Sequence, residues 1–218
     1  FSLVACSKGG DNGAKKLKIG VIYTANNNFW DKVGNGAKAK AEEYNKDGKY
    51  ELSSTGPIYI NSLATELVND LFVWKKVKSF FACNNDHIKN LIGAPREVTN
   101  LYCHYSYNLE SLEGCPEKID GEVNLRFTAI SSLVGLPEKV GRLQCDHCDN
   151  LVDLKGCPQM IDSNDLDGDC QLNNCKNLRS LEGGPIYVKG RFCVDECDIL
   201  TSHKCRHIEC YHYWCVKC

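Results

Sequence analysis

Seven cysteine and histidine side chains crowd the last 16 residues: His203, Cys205, His207, Cys210, His212, Cys215 and Cys218. Thiolate and imidazole are the ligands that hold Zn²⁺ tetrahedrally, and Cys215-Val-Lys-Cys218 has the spacing of a zinc half-site. Cys205, His207, Cys210, His212, Cys215 and Cys218 are therefore the candidate metal ligands, with zinc the one cofactor the residue types suggest. A Cys/aromatic-rich cap with incidental histidines explains the same residues. Cys205, Cys210 and Cys215 fall five apart, which fits no standard finger.

The other chemistry-bearing groups are less complete. Cys145-Asp-His-Cys148 is a second Cys-x-x-Cys, but no βαβ unit stands beside it to make a thioredoxin-like redox site. Cys148 and Cys175 share one place in consecutive repeat copies. Coils stacked at a strand spacing of about 4.8 Å would allow either a disulfide or two packed thiols there. Asp162-Ser-Asn-Asp-Leu-Asp-Gly-Asp169 has the look of a calcium loop. Asn174 stands where the bidentate Glu would be required, so a solvated bulge on the turn face is expected. Gly34-Asn-Gly36-Ala-Lys-Ala39 lies too far beyond the preceding strand to cradle a phosphate. His87, His104 and His147 occupy different repeat places. No acid, base and nucleophile assemble, and the chain is expected not to be an enzyme.

Composition narrows the classes further. A net charge of −2 and a pI near 6.3 offer no basic face for nucleic acid. No run of 18 apolar residues provides a membrane-spanning helix. The 15 cysteines are an odd number in a chain too long for a small disulfide scaffold. Most read as small buried apolar side chains.

What must position these groups is a repeat. From residue 67 an aliphatic recurs at Leu67, Ile88, Leu109, Ile130, Leu151, Leu178 and Ile199, at intervals of 21 residues with a single interval of 27. Five copies carry Leu at +3 (Leu91, Leu112, Leu133, Leu154, Leu181) and Gly at +5 (Gly93, Gly114, Gly135, Gly156, Gly183). The same copies carry Pro at +7 and an aliphatic at +10. The outer copies lose this pattern, as capping copies do. Six residues before each anchor stands another column, Ala82, Cys103, Asn124, Cys145, Leu172 and Cys193, with alternation that suggests a short half-buried strand. The expected fold is mainly β within an α/β-containing chain. It is a leucine-rich-repeat-like solenoid of seven coils over about 51 to 213, with one short parallel strand per 21-residue coil and turns opposite. A strand–helix unit precedes it.

Leu109-Glu-Ser-Leu-Glu-Gly-Cys-Pro116 and Leu178-Arg-Ser-Leu-Glu-Gly-Gly-Pro185 resemble the short leucine-rich-like repeats of phage and viral proteins, and the resemblance runs from about 47 to 213. It implies a scaffold that offers a protein partner an extended face. Residues 1–44 resemble a different family. Leu3-Val4-Ala5-Cys6 is similar to a bacterial lipobox, with Cys6 the lipidation site, and a polar linker follows. Lys18 to Tyr23 reads as a strand, Asn26 to Asn28 as a turn and Phe29 to Tyr44 as a helix. Together they look like the first βα unit of type I periplasmic sugar-binding lipoproteins of ABC transporters. That resemblance implies that Asn27 hydrogen-bonds a sugar hydroxyl while Phe29 and Trp30 stack on the ring. One βα unit cannot enclose a sugar, so packing of Phe29 and Trp30 against the solenoid is the plainer expectation. The chain thus reads as a chimera joined near residues 44–50. Its segments are a lipobox remnant and linker (1–16), a strand–helix fragment (17–46), the solenoid (47–213) and a Cys/His-rich cap (203–218). A lipidated Cys6 implies the cell envelope; without it the free thiols suit the cytoplasm.

Overall fold

A computed structural model describes residues 6–7, 18–19, 50–60, 72–200 and 208–214. The helix expected over Phe29–Tyr44 lies outside them, as do Leu67, Asn27, Phe29 and Trp30. At the N-terminus β1 (Cys6–Ser7) and β2 (Lys18–Ile19) pair antiparallel.

The rest is a parallel β-solenoid of about six turns, roughly 22 residues each, with no helix among the described residues. Its strands are β3 (Tyr50–Tyr59), β4 (Phe72–Phe81), β5 (Glu97–Tyr102), β6 (Lys118–Ile119) and β7 (Glu122–Asn124). There follow β8 (Lys139–Val140), β9 (Arg142–Gln144), β10 (Met160–Ile161), β11 (Cys170–Gln171), β12 (Tyr187–Cys193) and β13 (Glu209–Trp214). Each coil contributes to two ladders rather than to the single strand expected. One pairs Val98 with Ile119 and, after a break between β6 and β8, runs on through Val140, Ile161 and Val188. The other runs through Phe80, Leu101, Val123, Leu143, Cys170 and Phe192. In β4, β5 and β12 the two ladders are parts of one strand. In the middle coils Gly121, Gly141 or the long insertion interrupts them.

The anchors Ile88, Leu109, Ile130, Leu151 and Leu178 and the five +3 leucines are fully buried, stacked coil on coil. The inward column six before the anchor departs from the regular count. Leu125 and Val194 fill it, not Asn124 and Cys193. Six residues separate Ile119 from Leu125, against five from Val98 to Cys103, so one extra residue is taken up at the bend. The last anchor is likewise Leu200, packed against the core, because Ile199 is 38% exposed.

The +5 glycines make one corner. All five have positive φ, and a Cβ on Gly114 would lie 2.5 Å from the Ile92 backbone of the preceding coil. Glycine is needed there both for the left-handed backbone and for the close stacking of turns. In each of these turns the residue after the glycine donates its N–H to the +3 carbonyl, as Cys115 does to Leu112 at 2.9 Å.

The 27-residue coil carries its extra residues between β10 and β11, at the bend of the sheet and not on the turn face. Asn164, Asp165 and Asp167 are exposed, so the bulge is solvated at its crest, while Gly168 and Asp169 at its base are buried. Arg191 donates to Asp169 through its backbone N–H (2.8 Å) and its guanidinium (2.6 and 3.2 Å). Burial alone would raise the Asp169 pKa, but those hydrogen bonds and the Arg191 and Arg142 charges outweigh it and hold the carboxyl below its usual range.

Candidate functional site

The corner opposite in character to the glycine turns is built from residues just before each anchor. Asn84, Tyr105, Phe127, His147, Asn174 and Glu196 all have positive φ, between 53° and 59°. A left-handed backbone costs a non-glycine residue about 1–2 kcal/mol, and bulky side chains rarely adopt it. Main-chain hydrogen bonds to the next coil hold it here: Tyr105 N–H donates to the Arg126 carbonyl at 2.9 Å, Phe127 to Asp146 at 3.1 Å and His147 to Asn173 at 2.9 Å. Strain of this kind, held in place by its surroundings, is a recurrent feature of binding surfaces.

The next column turns inward: Asn85, Ser106, Thr128, Cys148, Cys175 and Cys197 are all buried. Their side chains satisfy backbone carbonyls, Ser106 Oγ that of Ala82 (2.8 Å), Cys148 Sγ that of Leu125 (3.2 Å) and Cys175 Sγ that of Cys145 (3.2 Å). Cys145 is buried in the core and burial pushes its thiol far up, so this Cys-x-x-Cys is a pair of packing residues and not an exposed redox pair. The cysteines between Cys83 and Cys197, Cys148 and Cys175 among them, and Cys210 are free thiols.

Two ring stacks cover the outside of this region. Tyr59, Phe81 and Tyr102 stack at 4.5 and 4.6 Å along the strands. Asn124, Gln144 and Gln171 extend that column with amide-to-amide hydrogen bonds of 2.8 Å. At the left-handed corner Tyr105, Phe127 and His147 stack at 4.7 and 4.3 Å, nearly parallel. Tyr107 stands beside them and is 57% exposed, and Tyr105 is 37% exposed. The same corner carries the carboxylates of Asp86, Asp146, Asp149, Asp195, Glu196 and Asp198 against only Arg126 and Lys176. Asp146 is tied to Arg126 at 3.6 Å and Asp149 to Lys176 at 2.6 Å.

A notch of about 290 Å³ opens in this corner. It lies in the coil that is one residue short. Two residues separate the inward column from the anchor in every other described coil, such as Tyr107 and Asn108 or Asp149 and Asn150. In the coil of Ile130 there is only Ala129. Asn108, Asn150 and Asn177 donate across coils to the carbonyls of Asp86, Ala129 and Asp149, which fixes that alignment. That alignment sets Ala129 level with Tyr107 and Asp149, and its short side chain leaves a gap between them, floored by Thr128 and Ala129. Lys176 holds Asp149 Oδ2, while the shielded Oδ1 has no hydrogen-bond partner.

None of these corner residues was among the expected sites. The fixed count of 21 placed His147 and Phe127 at different repeat places, and the one-residue slip near Ile130 hid their stacking. The aromatic spacing Tyr105, Phe127, His147 is the signal that a register-tolerant count would find. Of the expected sites, Cys6 lies in β1 opposite Ile19. Cys210 lies in β13 opposite Val188, at the +10 place and packed against the core; His212 pairs with Arg191 in the same strand. Cys205, His207, Cys215 and Cys218 lie outside the described residues, as do Asn27, Phe29 and Trp30. Among the described residues no group of three or more His, Cys, Asp or Glu could hold a metal. No helix of the described residues is long and apolar enough to cross a membrane.

The class these features define is a parallel β-solenoid repeat protein with many cysteines. No family model, curated protein or solved structure matches the chain.

Proposed function

We propose that the chain is a non-catalytic scaffold that binds a protein partner on its solenoid face, at the left-handed corner. The observation that carries this is the half-exposed aromatic column there, held on a strained backbone and flanked by carboxylates. Aromatic anchors with a charged rim are what protein interfaces are made of. Its relatives in this reading are the leucine-rich-repeat-like proteins. Leu143-x-Cys145-x-x-Cys148-x-x-Leu151-x-x-Leu154 supports that kinship, because an Asn-or-Cys column beside spaced leucines marks such repeats.

A photo-crosslinking residue at Glu196, on the corner, and another at exposed Val134, on the glycine-turn side, test the reading in extracts of the native host. A saturable adduct from Glu196 and none from Val134 is the expected result. Equal or absent adducts at both would sink it. A zinc-stabilised C-terminal cap is a second reading, favoured by the density of Cys and His after residue 203. It requires stoichiometric zinc and loss of the C-terminal fold with chelator. The sugar-binding lipoprotein reading of residues 1–44 requires saturable sugar binding abolished by Trp30→Ala.

A further inference from the structure

We infer that Cys175 and Cys197 form an oxidation site, where a hydroperoxide converts the two thiols to a disulfide that ties their adjacent coils together. The placement of the side chains carries this. Gln171 and Cys193 pair in register, and Asn174 donates its N–H to the Asp195 carbonyl at 2.7 Å, so Cys175 and Cys197 stand level in adjacent coils. Parallel strands pair about 4.8 Å apart, inside the Cα range of about 4.4–6.8 Å that a disulfide spans. Both side chains turn inward in one buried column, where the tips of successive coils touch: Thr128 Oγ1 lies 3.5 Å from Cys148 Sγ. Cys197 Sγ reaches the Leu172 carbonyl at 3.2 Å, and Cys175 Sγ lies 3.8 Å from the Asn173 carbonyl. The two thiols thus sit over the same short stretch of backbone.

The surroundings give the two thiols different parts. Cys197 is 9% exposed, whereas Cys175 and Cys148 are fully buried. A hydrogen bond from the Cys175 thiol lowers the Cys197 pKa against the opposing effect of burial, while Cys175 is pushed up by the same bond and by burial. Cys197 is the attacking thiolate. Its sulfur attacks one peroxide oxygen: the S–O bond forms, the O–O bond breaks, and the leaving alkoxide takes a proton from water to become an alcohol. Cys197 is then a sulfenic acid, oxidised by two electrons, and the peroxide is reduced by two. The Cys175 sulfur attacks Cys197 Sγ next. The S–S bond forms, the S–O bond breaks, and hydroxide leaves with the Cys175 proton as water. A dithiol reverses the link by exchange. Cys148 flanks Cys175 on the other side, but the Leu125 carbonyl (3.2 Å) and Thr128 hold its thiol away from water.

The test treats the reduced full chain, folded, with equimolar tert-butyl hydroperoxide, quenches with iodoacetamide in denaturant and maps linked peptides by mass spectrometry. The expected first product joins Cys175 to Cys197 and is lost on adding dithiothreitol. Cys197→Ser should slow linking of Cys175 more than about tenfold, and Cys148→Ser should change the rate of the Cys175–Cys197 link less than about twofold. Cys175→Ser should leave Cys197 as a sulfenic acid that dimedone traps. Serine suits this column, where Ser106 already bonds the Ala82 carbonyl, and the unsubstituted chain decides the first link even where a variant does not fold. The Leu200 amide donates to the Cys197 carbonyl at 3.1 Å, and its hydrogen exchange should slow at least about fivefold on oxidation. A first link through Cys148, links scattered among the buried thiols, no link, or unchanged Leu200 exchange overturns the inference.

Discussion

The solenoid turns two of its corners with left-handed residues, and it does so by opposite means. At the glycine corner Gly93, Gly114, Gly135, Gly156 and Gly183 take the conformation without strain and let successive coils touch backbone to backbone. At the other corner Asn84, Tyr105, Phe127, His147 and Asn174 take it at a cost offset by hydrogen bonds to the next coil, Glu196 with its N–H donated to Asp195 Oδ1, and Tyr105, Phe127 and His147 add ring stacking. The first corner is uniform because a Cβ there would collide with backbone. The second is varied because its side chains leave the coil, so their identities are free to serve a surface. One corner is constrained by packing and the other by what it presents.

Substitutions that exchange the two solutions test this contrast. Gly156→Ala adds both a left-handed penalty and a collision with the Val134 backbone, and should destabilise by about 3 kcal/mol in urea unfolding. A loss under about 1 kcal/mol would mean that the coils can separate and that the glycine corner is not packing-limited. Arg191→Ala probes the insertion, where the buried Asp169 would lose its main cation. Because Arg191 is half-exposed, screening reduces the expected loss to about 2 kcal/mol at pH 7. The Asp169 carboxyl is depressed in the fold, so its stabilisation is present above the unfolded value of about 3.9 and is lost as pH falls through the folded value. Wild type should therefore lose stability below about pH 4 more steeply than Arg191→Ala, and parallel acid profiles would contradict the assignment.

Smaller effects sharpen the other side. Phe127→Gly removes the left-handed penalty of about 1–2 kcal/mol and the stacking worth about 0.5–1.5 kcal/mol, so its net effect on unfolding should stay within about 1 kcal/mol. A much larger loss would show that the ring column is structural and not a presented surface. Val134→Ser, on an exposed side chain beside the glycine corner, should change stability by less than about 0.5 kcal/mol. Thiol alkylation is a last check. Burial raises the Cys103, Cys145 and Cys170 thiols well above their usual value, so these should react with iodoacetamide only after unfolding. Rapid labelling of the folded chain would place them at the surface.

By itself the sequence determined the solenoid, its buried leucine columns and the glycine turn. Each of these depends on residue types that a 21-residue spacing repeats, aliphatics in the buried columns and glycine at the turn. The register slips escaped it: Leu125 for Asn124, Val194 for Cys193 and Leu200 for Ile199. A coil absorbs one extra or missing residue at a bend while the buried columns stay aligned, so a fixed count drifts where the core does not. The split of one strand into two ladders and the burial of Asp169 depend on the same local accommodations. Tertiary structure alone decided the candidate site. Tyr105, Phe127 and His147 meet only because coils stack at strand spacing, and the notch beside Tyr107 exists because stacking sets the short side chain of Ala129 between Tyr107 and Asp149.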